Sequence, residues 1–162
     1  MIGNDVVDLQ LAKIESNWQR IGFLDKIFTK NEQTFLLLSE NIEISIWNLW
    51  SRKEAAYKIW NRQTGIRKFN PIQFECKNVF RNDVVEFENI IYFTKTQILE
   101  NHIHSIAVTK KSDLSRIRLI SNNIKISKEN NIPFLMNKNK KKQIISKSHH
   151  GKFEFIVGLR NS

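Results

Sequence analysis

A chain of 162 residues is long enough for one hydrophobic core, and 41% hydrophobic residues with eleven Phe and four Trp exclude a disordered polymer. The net charge of +10 is concentrated: residues 1–109 carry thirteen Lys/Arg and thirteen Asp/Glu, residues 110–162 thirteen against three, a field that attracts an anionic partner. No apolar run approaches the roughly 20 residues of a membrane span, Asp5 and Asp8 stand where a leader would be basic, and the lone Cys76 excludes an internal disulfide. These features predict a cytoplasmic single domain over 1–162, without membrane contact and with a basic part from about residue 110.

In chain order, Ile2-Gly3-Asn4-Asp5-Val6-Val7-Asp8-Leu9 sets a β-branched pair between two carboxylates and reads as a short strand. Leu11, Ile14, Trp18 and Ile21 recur at helical spacing and predict an amphipathic helix over about 10–22. Thr29-Lys30-Asn31-Glu32, after Phe28, has the form of a capping box, so a second helix is expected to start there and carry Phe35 to Leu38. From about 42 to 62 a helical pattern runs without Pro or Gly, and Gly65 is its stop signal. On that helix Ile46, Leu49, Ala56, Tyr57 and Trp60 share one side. Glu54 and Lys58, four apart, project together from another side, beside Trp47 and Trp50.

Beyond Pro71 the pattern turns to β at 72–76, 84–88, 90–93 and 103–109, with turns at Asn82-Asp83 and Asn89. Cys76 reads as a small apolar strand residue. In the last third, β-like runs at Ile117–Ile120 and Phe153–Leu159 are separated by Lys138-Asn139-Lys140-Lys141-Lys142. The whole predicts an α+β fold with an N-terminal strand, helices and an antiparallel sheet.

Three motifs carry chemistry: Gly3-Asn4-Asp5, Trp50-Ser51-Arg52-Lys53-Glu54-Ala55-Ala56-Tyr57-Lys58, and Ser146-Lys147-Ser148-His149-His150-Gly151. In this order they resemble the 4'-phosphopantetheinyl transferase superfamily. Its members show Gly-x-Asp at a strand, Trp-Ser/Ala-x-Lys-Glu-Ala/Ser-x-x-Lys on a helix, and a Ser-x-Ser-His element. Phe28-Thr29-x-x-Glu32 also resembles the family's Phe-Thr/Ser-x-x-Glu segment, and Asn131-Ile132-Pro133-Phe134-Leu135 a degraded Gly-Lys-Pro-x-Leu. The motif order is similar to that of the short holo-acyl-carrier-protein synthases.

The resemblance implies a 4'-phosphopantetheinyl transferase-like fold and transfer of phosphopantetheine from coenzyme A to a serine of an apo acyl or peptidyl carrier protein. Magnesium would assist and 3',5'-ADP would be released. It implies Asp5 and Glu54 as metal carboxylates, Lys58 as the catalytic cation on the phosphates, and Ser148 and His149 as the coenzyme A-binding pair. The residue types suit the chemistry, because magnesium takes a few carboxylates together with water and phosphate oxygens, and a lysine balances charge on the leaving group. Val7 stands where some relatives carry a third carboxylate, and a strand turns Asp8 to the opposite face, which leaves that position to water. The base for the serine proton is open between Glu54 and a metal-held water oriented by Asp5.

Carrier proteins are typically acidic, so the basic part from about 110 is the expected docking face. Short synthases share their site between subunits, so an oligomer stays open. Taken singly, Asp5 reads first as a turn residue, and Glu54 with Lys58 first as a surface pair worth about 0.3 kcal/mol; their co-occurrence in the family's order favours the site. His149-His150 lacks a third zinc ligand, the lysine run reads as a solvated loop, and His102 and His104 read as half-buried core residues. The alternative function is a basic nucleic-acid- or protein-binding module on an inactive transferase-like fold. Nucleic acid is the less expected partner, since charge is its sole signature.

Overall fold

The computed structural model describes residues 1–77, 83–130, 132–136 and 141–160. Strand β1 (Ile2–Asp8) is buried on both faces, which is why its sequence lacks a simple apolar–polar alternation. Asp8 then caps α1 (Leu9–Glu15), its Oδ1 accepting from the backbone N–H groups of Gln10 and Leu11.

The helix expected over 10–22 stops at Glu15, and this corrects the sequence reading. Asn17 Oδ1 accepts from Gln19 N at 3.1 Å, a local bond that competes with helical pairing. Gly22, at φ 77°, begins the separate α2 (Phe23–Ile27). Ile14 and Ile21, expected on a buried stripe, are 83% and 100% exposed.

Both halves of the capping box at Thr29 and Glu32 form, and α3 (Lys30–Leu38) follows, with Leu36 buried and Leu37 and Leu38 exposed. The long helix α4 (Ile42–Thr64) is capped by Asn41 and closed by Gly65 in the left-handed region, as the sequence predicts. Its Ile46, Leu49, Ala55, Ala56 and Ile59 are fully buried. A Cβ on Gly3 would stand 2.1 Å from Ala55 O, so the α4 backbone lies directly on β1 and only glycine fits between them.

The first sheet pairs β1, β5 (His102–Val108), β4 (Ile90–Ile98), β3 (Val84–Phe87) and β2 (Glu75–Lys77), in that order and antiparallel throughout. The strand expected over 72–76 begins only at Glu75, because Pro71–Gln73 form a 3-10 turn that suits a residue without an N–H. Glu88 and Asn89 both take positive φ in the β3–β4 turn. Asn82 of the other expected turn lies outside the described residues, as do Asn131 and Lys138 to Lys140.

The second sheet runs β6 (Ile117–Ile120), β10 (Phe153–Leu159), β9 (Lys142–His150), β8 (Ile132–Met136), β7 (Ser127–Glu129). Strand β9 escapes hydropathy reading because its inward residues include Ser146 and Ser148. The two sheets meet on β1. Asn4 N donates to Ser146 Oγ at 2.9 Å, and Ile2 packs with Val157. His102 and His104 are not half-buried but buried, their rings stacked on Phe153 and Phe155 with centroids 4.2 Å apart in each pair. The fold is α+β, and among the described residues no helix is long and apolar enough to cross a membrane.

Candidate active site

Most of the nine-residue motif on α4 serves to fix that helix. Lys53 Nζ donates to Glu32 Oε2 at 2.8 Å with both side chains fully buried, and to Pro71 O at 3.0 Å. Glu32 also accepts from Thr29 N and Cys76 N, so one carboxylate joins α3, α4 and β2. Arg52 donates to Thr94 Oγ1 and Val84 O, and Ser51 Oγ lies 2.6 Å from Ser105 Oγ. Such a network holds the backbone from which Glu54 and Lys58 project. Cys76 is buried in β2, and burial pushes its thiol up to about 11, which suits an inert structural residue.

Asp5 extends from the face of β1 that meets α4. Lys58 Nζ lies 3.0 Å from Asp5 Oδ1 and donates to Asn4 O at 2.8 Å, anchoring the ammonium beside the strand. One helical turn earlier, Glu54 shares with Asp5 and His149 a cleft of about 320 Å³. Burial pushes Glu54 up to about 7, and the Asp5 charge adds to the effect. Burial also raises Asp5, against the pull of Lys58. Among the described residues no hydrogen bond or ion pair reaches the Glu54 carboxylate, so one ammonium faces two desolvated carboxylates.

That donor set fits a hard divalent cation, which would relieve the repulsion and take its remaining positions from water and phosphate oxygens. No group of three or more ligating side chains occurs among the described residues. Val7, two residues after Asp5, is buried in the core, whereas Asp8 faces the other way and accepts from Lys152 N.

Lys58 also lines a second pocket, of about 260 Å³, with Asn61, Arg62, Arg67, Pro133 and Lys147. Its described lining carries four cations and no carboxylate. Desolvation lowers Arg62 to about 10, which still leaves it charged at neutral pH, and its Nη1 donates to Ile2 O at 2.7 Å. Lys147 pairs with Glu154 at 2.8 Å.

Asp5, Glu54 and His149 thus come together in the cleft, and Lys58 stands between it and the basic pocket. His149 is exposed on the same face of β9 as Lys147. Ser148 turns the other way: its side chain is buried, and its Oγ accepts from Asn4 Nδ2 at 2.7 Å. His150 Nδ1 accepts from Asp8 N at 2.9 Å and ties the end of β9 to β1.

Sequence reasoning missed Arg62 and Lys147, although signals existed. Arg62 continues the four-residue spacing of Glu54 and Lys58, and Lys147 precedes His149 by two on a strand. The chain matches none of the curated proteins searched. The family model of the 4'-phosphopantetheinyl transferase superfamily matches residues 1–119, which include the Gly3-Asn4-Asp5 and Trp50-to-Lys58 segments, and the α+β architecture agrees with it. The chain therefore belongs to the 4'-phosphopantetheinyl transferase superfamily.

Proposed function

We propose that the protein transfers 4'-phosphopantetheine from coenzyme A to a serine of an apo acyl or peptidyl carrier protein, as a magnesium-dependent holo-acyl-carrier-protein synthase. The observation that carries this reading is the pairing of Asp5 and Glu54 in one cleft with Lys58 at its edge. In the reaction the serine Oγ forms a bond to the β-phosphorus and the bond from that phosphorus to 3',5'-ADP breaks. The serine proton would pass to Glu54 or to a water oriented by Asp5. Magnesium held by Asp5 and Glu54 would supply charge neutralisation on the diphosphate.

Lys58 is suited to the same phosphates, since its ammonium is already anchored at Asn4 O. His149 is the residue of the Ser-His element that can meet a phosphate oxygen in the cleft, while Ser148 would aid coenzyme A binding by holding β9 on Asn4. Beyond Lys58, the pocket of Arg62, Arg67 and Lys147 suits the phosphates of the nucleotide half. The basic residues from about 110 onward suit an acidic carrier protein in the cytoplasm.

The test is the intact mass of apo carrier proteins after incubation with the protein, coenzyme A and magnesium. One phosphopantetheine adduct on the serine is expected. Asp5→Ala or Glu54→Ala should lower the rate by about 10²–10³-fold with folding retained. No adduct on any of several carriers would sink the reading.

A further inference from the structure

We propose that Asp8 is a positioning residue of the transfer reaction: it grips the turn between β9 and β10 and so holds His149 in the cleft with Asp5 and Glu54. This role rests on the transferase reading and extends it to a residue that does not itself line the cleft.

Asp8 ends β1 and is only 4% exposed. Three elements that line the cleft converge on it: β1 supplies Asp5, Val6 and Val7, α1 supplies Ala12, and β9 supplies His149 and His150. The two oxygens of the Asp8 carboxylate serve different elements. Oδ1 accepts from Gln10 N at 3.1 Å and Leu11 N at 3.3 Å, which starts α1. Oδ2 accepts from Lys152 N at 3.3 Å, on the far side of the turn. The Asp8 backbone N–H donates to His150 Nδ1 at 2.9 Å. With Nδ1 accepting, His150 carries its proton on Nε2, which lies 3.3 Å from Glu15 Oε2 at the other end of α1.

The turn is shaped to the carboxylate. Gly151 takes φ 55°, and a Cβ there would stand 2.3 Å from Asp8 Oδ2, so both the backbone and the close approach call for glycine. Asp8 cannot swing aside without giving up its bonds to α1. Among the described residues no hydrogen bond or ion pair holds the His149 ring, so its place in the cleft depends on the backbone that Asp8 grips. The rival account is that the bond between Ser148 and Asn4 alone sets His149, which leaves Asp8 only as the cap of α1.

Asp8→Asn separates the two roles. Asparagine caps a helix as well as aspartate does, and the two donors of α1 keep its oxygen there, so its amide N–H groups are turned against the Lys152 N–H. In the full-length protein the KM for coenzyme A should rise about three- to tenfold, the effect of one misplaced hydrogen bond to a phosphate, with kcat held within about twofold. The KM for the carrier protein should not move. His149→Ala should raise the KM for coenzyme A about tenfold. Adding Asp8→Asn to that variant should change it by less than about twofold, because the two residues act through one contact. Gly151→Ala loosens the grip from the side of the turn and should reproduce the Asp8→Asn pattern with the cap intact. An unchanged KM for coenzyme A in Asp8→Asn overturns the role, as do losses that multiply in the double variant. Should both single variants fail to fold, hydrogen exchange of the Lys152 amide in the wild-type protein decides. Coenzyme A should slow it, since a ligand bound through His149 tightens in turn what positions His149, and no slowing overturns the role. Wild-type protein that transfers nothing to any carrier removes the transferase reading, and this role with it, before any variant is compared.

Discussion

The first sheet has α4 on one face and β9 and β10 on the other, and strand β5 is buried at every position. The second sheet alternates instead: along β9, Ile145, Ser146 and Ser148 are buried, while Lys147 and His149 are exposed. The first region has no net charge through residue 109, and the second holds the whole excess of lysine and arginine. Asp5, Glu54 and Lys58 come from the doubly covered region, where packing fixes them. His149 and Lys147 come from the open one, where they can meet a ligand. The proposed site would thus draw its fixed carboxylates from one layer and its accessible side chains from the other.

The sharpest way to break this contrast is Lys53→Met. It leaves Glu32 buried without its cation and should cost about 3–5 kcal/mol in urea unfolding. Gly3→Ala comes next. Its Cβ has no room against Ala55 O, so about 3 kcal/mol and most of the transfer activity should be lost together as α4 moves off Asp5.

The boundary between the layers is tested by acid. Burial lowers His104 to about 4 from its ordinary 6.5. Between those values the unfolded chain binds a proton that the folded chain refuses, so stability should fall as pH drops through the window, by about 2–3 kcal/mol in total. His104→Gln should flatten that slope in chemical denaturation series from pH 4 to 7.

The smallest expected stability change comes from the second layer: Lys125, Lys128 and Lys152 reversed to Glu should alter unfolding by under about 0.5 kcal/mol. The same variant should raise the carrier KM and reduce its salt dependence, and an unmoved KM would remove the docking role of this face.

The first layer was more legible in the sequence than the second, for a physical reason. Helix α4, its Gly65 stop and the capping box at Thr29 are encoded locally, within four residues of where they act. The helix expected to 22 failed because Ile14 and Ile21 kept a helical period with nothing to pack against, while Asn17 and Gly22 offered the backbone other bonds. Strand β9 hid because its inward side chains are hydroxyls that bond Asn4, a contact across more than 140 residues. The spacing of Glu54 and Lys58 could be read directly. Their company with Asp5 could be reached only through the motif resemblance, because it depends on how β1 lies under α4.

That placement of β1 gives Gly3 a further consequence. Neighbouring residues of a strand face opposite layers, so a slip of one position would carry Asp5 to the histidine-lined side and bring Asn4 under Lys58. The same slip would drive the side chain of Ile2 or Asn4 into the space at Ala55 O that admits no Cβ. The glycine of the Gly-x-Asp motif therefore acts as a proofreader of strand register. It excludes misaligned folds in which the carboxylate is present in the chain but turned away from its partners.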